Sequence, residues 1–119
     1  MEISWNEKDP IYRQLHDRLV EMILEGVYRN GDALPSVRQI SSEHRINPIT
    51  VSKAFQLLVD DGVVEKKRGL GMYVLMGARE KLARDERTHF MSEEWPRILE
   101  KIERLGFTAQ ELLSEGEGK

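Results

Sequence analysis

The sequence predicts an α+β fold, mainly α, and three observations carry that expectation. Two short helical runs follow each other closely, the first opened by Ser36 with Gln39 three residues on, the second by Asn47-Pro48. Two strand-like runs come next, Val63-Val64-Glu65-Lys66-Lys67 and Met72-Tyr73-Val74-Leu75, joined by Arg68-Gly69-Leu70-Gly71, whose glycines allow positive φ at the tip. Polar side chains crowd the start of the second helix. Two short helices and a β-hairpin in this order describe a winged helix-turn-helix. The charged remainder describes a short all-helical C-terminal appendage. The expected division is residues 1–75 for the winged helix and 76–119 for the appendage.

Each element has its own local reason. Asp9-Pro10 reads as an N-cap followed by proline at the first helical position, after which Ile11, Leu15, Leu19, Met22 and Ile23 recur at helical spacing. Gly26 and the Asn30-Gly31-Asp32 turn close this helix. The Ser36 helix buries Val37 and Ile40 and ends near Arg45. In the Asn47 helix Val51, Ala54, Phe55 and Leu58 form one apolar stripe, and Gly62 ends it. The opposite face carries Ile49, Thr50, Ser52, Lys53 and Gln56.

Beyond Leu75 the pairs Glu80/Arg84, Lys81/Asp85, Glu93/Arg97 and Glu100/Arg104 stand at i,i+4 spacing, the mark of a charged helix. Pro96 is expected to kink or break it, because proline removes a backbone donor and clashes with the preceding turn. Gly106 stops it. Thr108-Ala109-Gln110-Glu111 then opens a last short helix through Leu112 and Leu113, and residues 115–119 are expected to fray.

Composition narrows the function. The chain has 119 residues, 39% of them hydrophobic, enough for one small core but a tight fit for a buried multi-substrate active site. It has no cysteine, which excludes disulfides and thiolate metal sites. The start, Met1-Glu2-Ile3-Ser4-Trp5-Asn6-Glu7, lacks the features of a secretory signal, and no apolar run approaches the roughly 20 residues of a membrane span. A cytoplasmic protein without a membrane partner is the expectation. The formal net charge of −3 argues against indiscriminate nucleic-acid binding. Residues 33–75 nevertheless carry six basic side chains (Arg38, Arg45, Lys53, Lys66, Lys67, Arg68) against four acidic ones (Glu43, Asp60, Asp61, Glu65). An acidic body with a local basic face would orient on DNA without sticking everywhere.

No catalytic constellation is visible, and neither cofactor nor metal is expected. His16, His44 and His89 are scattered and read as solvated surface histidines rather than ligands or bases. Gly69-Leu70-Gly71 lies in a hairpin, not between a strand and a helix, so a phosphate-cradling nucleotide loop is disfavoured. The candidate chemistry is DNA contact. Asn47, Ile49, Thr50, Ser52 and Lys53 crowd the first turn of the second helix, where orphan N–H groups favour phosphate. Lys53 and Arg38 can reach a phosphate or guanine O6/N7. Taken singly these residues are an ordinary solvated face; with the capped helix before them and the basic wing after, DNA contact is the stronger reading. Lys66, Lys67 and Arg68 could equally guard a strand edge, and their place beside Gly69 again favours DNA. The apolar set Phe90, Trp95, Ile98, Leu99, Ile102 and Leu105 lies outside the winged-helix core and needs another partner, of which an identical chain is the simplest.

On Leu34-Pro35-Ser36-Val37-Arg38, the stretch 47–55, Gly62 and Arg68-Gly69-Leu70-Gly71-Met72-Tyr73-Val74, the sequence resembles the GntR family of bacterial regulators. The resemblance covers roughly residues 10–75. The short helical tail is similar to that of the YtrA subfamily, which implies dimerisation through that tail and, often, repression of a transporter operon. The resemblance further implies that Arg38 reads a base in the major groove, that Thr50 and its neighbours on the second helix contact DNA, and that Gly69 enters the minor groove; Ser36, at the start of the preceding helix, is a further candidate contact. Many members carry arginines where this chain has Pro48 and Ser52, so those contacts do not transfer. Lys53 could supply part of the missing charge.

The sequence therefore predicts a homodimeric, sequence-specific regulator of double-stranded DNA, a repressor on a pseudo-palindromic operator. A small-molecule effector acting near Phe90 and Trp95 is a further expectation. The alternative is a winged helix used as a protein-interaction adaptor, with the acidic body as its working surface.

Overall fold

A computed structural model describes residues 3–117 and divides the chain into two compact units, which meet after Ala83. The first unit holds α1 (Ile11–Leu24), α2 (Val37–His44), α3 (Pro48–Asp60), β1 (Val64–Lys67) and β2 (Gly71–Val74). It also holds the start of α4 (Ala78–His89). The division lies further on than the expected end at residue 75, because Ala78 and Leu82 are buried in the core of the first unit.

That core is built from one stripe of each helix. Leu15, Leu19 and Ile23 of α1 meet Ile40 of α2, Val51, Ala54, Phe55 and Leu58 of α3, and Val64 and Val74 of the hairpin. The strands pair antiparallel, with Val64 opposite Val74 and Lys67 opposite Gly71. The other edge of β2 is engaged as well: Ala33 bridges Tyr73, and the Leu34 amide donates to the Met72 carbonyl at 2.9 Å. The wing is thereby fastened to the segment that leads into α2.

Helix ends show where local sequence decides and where it is overruled. Ser36 Oγ accepts the Gln39 amide at 3.0 Å, and Asn47 Oδ1 accepts the Ile49 amide at 2.9 Å with Pro48 at the first helical position. Asp9 does not cap α1, which begins at Ile11 with Pro10 at the cap position. Instead Asn6 Oδ1 accepts the Lys8 and Asp9 amides, and the Gln14 side chain bonds the Asn6 backbone. Arg45, after α2, sits at φ 53° and ψ 47°, the left-handed region. A residue with a Cβ gives up about 1–2 kcal/mol there.

The expectation of solvated histidines holds only for His89. His16 bonds Asp17 Oδ1 at 2.8 Å and Asp61 Oδ2 at 2.7 Å, and its side chain is largely buried between them. His44 is also largely buried, with Nε2 lacking a hydrogen-bond partner among the described residues. Asp61 is the C-cap of α3, so His16 ties α1 to the end of that helix. Lys81 of α4 donates to the Asp61 carbonyl from the other side, rather than pairing with Asp85 along its own helix.

The second unit, residues 84–117, comprises the remainder of α4, a π-helical turn (Phe90–Glu94), α5 (Trp95–Arg104) and α6 (Ala109–Glu117). Pro96 causes no break. The turn before it widens to i→i+5 bonding, with the Trp95 amide donating to the Phe90 carbonyl, and the helix passes the proline continuously. Gly106, at φ +82°, ends α5, and Thr108 Oγ1 accepts the Glu111 amide to open α6. Residues 115–117 are helical rather than frayed; 118 and 119 lie outside the described residues.

Candidate nucleic-acid interface

The first unit brings together on α2, α3 and the wing every residue the sequence singled out for DNA. Ser36 and Arg38 are exposed on the first turn of α2 and its cap. Asn47, Ile49, Ser52 and Lys53 are exposed on the opening turns of α3, and Thr50 is half-buried. Ile49 is 75% exposed, unusual for an isoleucine and notable beside polar neighbours. Lys67, Arg68 and Gly69 are exposed on the wing, where Gly69 at φ +77° and the Leu70 amide bond to the Lys67 carbonyl form the tip.

The structure adds two aromatic supports. Lys53 Nζ lies 4.6 Å from the centre of the Tyr12 ring on α1, and Lys67 Nζ lies 4.5 Å from the Tyr73 ring across the hairpin. Such exposed contacts are worth about 0.5–1 kcal/mol, less than a charge-assisted bond to phosphate. They hold the two ammonium groups in place at the surface. No signal in the sequence pairs Tyr12 with Lys53, since the contact depends on how α1 packs against α3.

Neighbouring charge is modest. Glu65 Oε1 is 3.9 Å from Lys67 Nζ, and Gln56 rather than a cation engages Asp60. Behind α2, burial and the nearby Glu43 carboxylate raise the pKa of Tyr28 above 10.0, so its phenol stays neutral.

In the second unit the expected apolar set lies along one helix. Phe90 and Trp95 stack with ring centres 6.2 Å apart at 29°. Phe90, Ile98 and Leu105 are exposed, and Trp95, Leu99 and Ile102 half-buried. Met91, Phe107, Leu112 and Leu113 extend the exposed apolar surface and were not among the sequence candidates.

A helix pair with a capped, outward-facing second helix and a basic hairpin beside it defines a winged-helix DNA-binding protein. The sequence profile of the bacterial regulatory proteins of the gntR family matches residues 11–74, and the chain belongs to that family. It is 36% identical over 88 residues to the HTH-type transcriptional repressor YtrA of Bacillus subtilis, covering 74% of this chain and 68% of YtrA. It is 38% identical over 65 residues to the mannosyl-D-glycerate transport/metabolism system repressor MngR of Escherichia coli, covering 55% of this chain but only 27% of MngR. The crystal structure of a GntR-family regulator from Bacteroides thetaiotaomicron superposes with a TM-score of 0.72 at 30% identity, over 91% of this chain and 94% of that one. The protein is a GntR-family transcriptional regulator of the YtrA-like type, and its relatives are regulators, not enzymes.

Proposed function

We propose that the protein is a homodimeric repressor in which each winged helix occupies one half-site of a pseudo-palindromic operator. One observation carries this reading: the first turn of α3 is capped from within by Asn47 and so presents Ile49, Ser52 and Lys53 outward beside a basic wing. Arg38 and Lys53 suit guanine edges or phosphate, and Ile49 suits the methyl group of thymine. The wing cations Lys67 and Arg68 suit phosphates, with Gly69 small enough to approach the minor groove.

Dimerisation falls to the second unit, where Phe90, Met91, Ile98, Leu105, Phe107 and Leu113 remain exposed and Trp95, Leu99 and Ile102 are only half-buried. An identical chain is the occupant that gives two half-sites a common symmetry axis. Half-site centres would then lie about 10 bp apart, or a multiple of that. The transport role in the name of MngR supports a transporter operon as target. An effector bound beside the stacked Phe90 and Trp95 rings would release DNA by acting on the dimer rather than on the DNA-contacting face. Family membership leaves the adaptor reading without a specific observation in its favour.

The test is selection of bound fragments from the source genome by purified protein at near-physiological salt, against excess competitor DNA. Enrichment of a few intergenic sites sharing an inverted repeat is expected. Failure to enrich any site, with the dimer verified at the working concentration, would sink the proposal.

A further inference from the structure

We infer that Arg45 is a phosphate anchor, kept in a strained backbone position so that its guanidinium grips the DNA backbone beside the start of α3. The inference rests on the DNA-binding reading above. Among the described residues seven glycines have positive φ, and Arg45 is the one residue with a side chain that does. Its place, directly after α2, is where glycine is the unstrained choice. The turn enforces the conformation from both sides. The Arg45 amide donates to the Ser41 carbonyl, the Ile46 amide donates to the same carbonyl at 3.1 Å, and Ser41 Oγ donates to the Ile46 carbonyl at 2.6 Å.

Those bonds would form equally well with glycine at this position, so the cost of a side chain there needs an offsetting gain from the side chain itself, and none is found among the described residues. The side chain is exposed, and no hydrogen bond or ion pair of its guanidinium is found among the described residues. The nearest carboxylate in sequence, Glu43, faces His44 at 4.0 Å. Arg45 stands two residues before Asn47, the cap of α3, and the first amides of that helix are already taken up by Asn47, so the charge next to the start of the helix proposed to enter the major groove is supplied by the arginine. Phosphates line the rim of that groove, and arginine matches their oxygens with a planar fork of donors. The partner is therefore a backbone phosphate, and the contact strengthens binding without reading sequence.

Three full-length variants separate this role from a neutral turn residue: Arg45→Gly, Arg45→Lys and Arg45→Asn. Each is measured for its urea midpoint and for affinity to a selected operator and to an unrelated duplex, across a range of salt concentrations. Arg45→Gly is expected to raise the midpoint yet weaken both duplexes about threefold to tenfold at about 0.1 M salt. The slope of log affinity against log salt is expected to fall by about 0.9 per protomer. Arg45→Asn, which tolerates the left-handed region, loses affinity in the same way, and Arg45→Lys keeps the slope. Unchanged affinity and slope in Arg45→Gly, while the wild type binds, would overturn the anchor alone. A loss confined to one base pair would overturn it in favour of base reading. A wild type that retains no DNA would remove both the anchor and the reading beneath it.

Discussion

Up to Ala83 the chain buries Leu15, Leu19, Ile40, Phe55 and Leu58 almost completely, whereas from Arg84 onward Ile98 remains 40% exposed and Leu105 61%. Both regions are built from amphipathic helices with apolar residues at similar spacing. In the first unit three helices and a hairpin converge, so each stripe finds another. In the second the stripe runs along one long helix and a short one, which have no third layer to cover them. An apolar stripe thus records a need for a partner, and only the tertiary structure tells whether that partner lies within the chain.

The sharpest way to break this comparison is to cut into each stripe. Phe55→Ala is expected to cost about 3–5 kcal/mol of stability, read by urea unfolding, because its cavity opens in a closed core. Ile98→Glu is expected to leave the unfolding of the first unit almost untouched while shifting sedimentation from the proposed dimer to monomer. A large loss of first-unit stability in Ile98→Glu would mean that the two stripes are not separate.

Arg38→Ala probes the surface of the first unit in place of its core. Binding to the selected operator is expected to weaken by about 1–3 kcal/mol, with discrimination relaxed at one base position and the urea midpoint unchanged. An equal loss on scrambled duplex would make Arg38 a phosphate contact instead. Smaller again is the effect of helix caps. Asn47→Ala is expected to lower first-unit stability by about 1 kcal/mol, and Thr108→Ala, the corresponding cap of α6, to leave that transition where it was.

The smallest effect concerns pH. Tyr28 has a pKa above 10.0 in the folded protein, because burial and then Glu43 disfavour its phenolate. Above about pH 10 the unfolded chain releases this proton first, so stability falls as pH rises further; below that the group contributes no slope. Tyr28→Phe is expected to flatten the decline in urea midpoint between about pH 9 and about pH 11. An unaltered decline would assign it to other groups.

Much of the first unit could be read from the sequence because its boundaries are set by short-range chemistry. Asn47-Pro48 opens α3 and Gly62, at φ +74°, follows its end, as expected from capping. The exposure of Asn47, Ile49, Ser52 and Lys53 follows from the same chemistry, since a capped first turn presents fixed positions to solvent. What escaped depends on distant packing. Ala78 and Leu82 look like stray apolar residues in a charged helix until the core is seen to need them. Tyr12 beneath Lys53 and the His16 link to Asp61 join residues far apart in sequence. Arg45 was hidden for a different reason: arginine carries no local preference for the conformation that its turn imposes.

The π-helical turn changes how distance along the second unit has to be counted. Phe90 and Trp95 are five residues apart, a separation that in an α-helix points side chains about 140° away from each other. Here the widened turn absorbs one residue, and the two rings stack. A chain one residue shorter in this stretch could present the same ring pair at i,i+4 from an unbroken α-helix. The helix can therefore lose a residue here while conserving its aromatic surface, so that deletion is silent at this point where elsewhere along a helix it would rotate every side chain downstream.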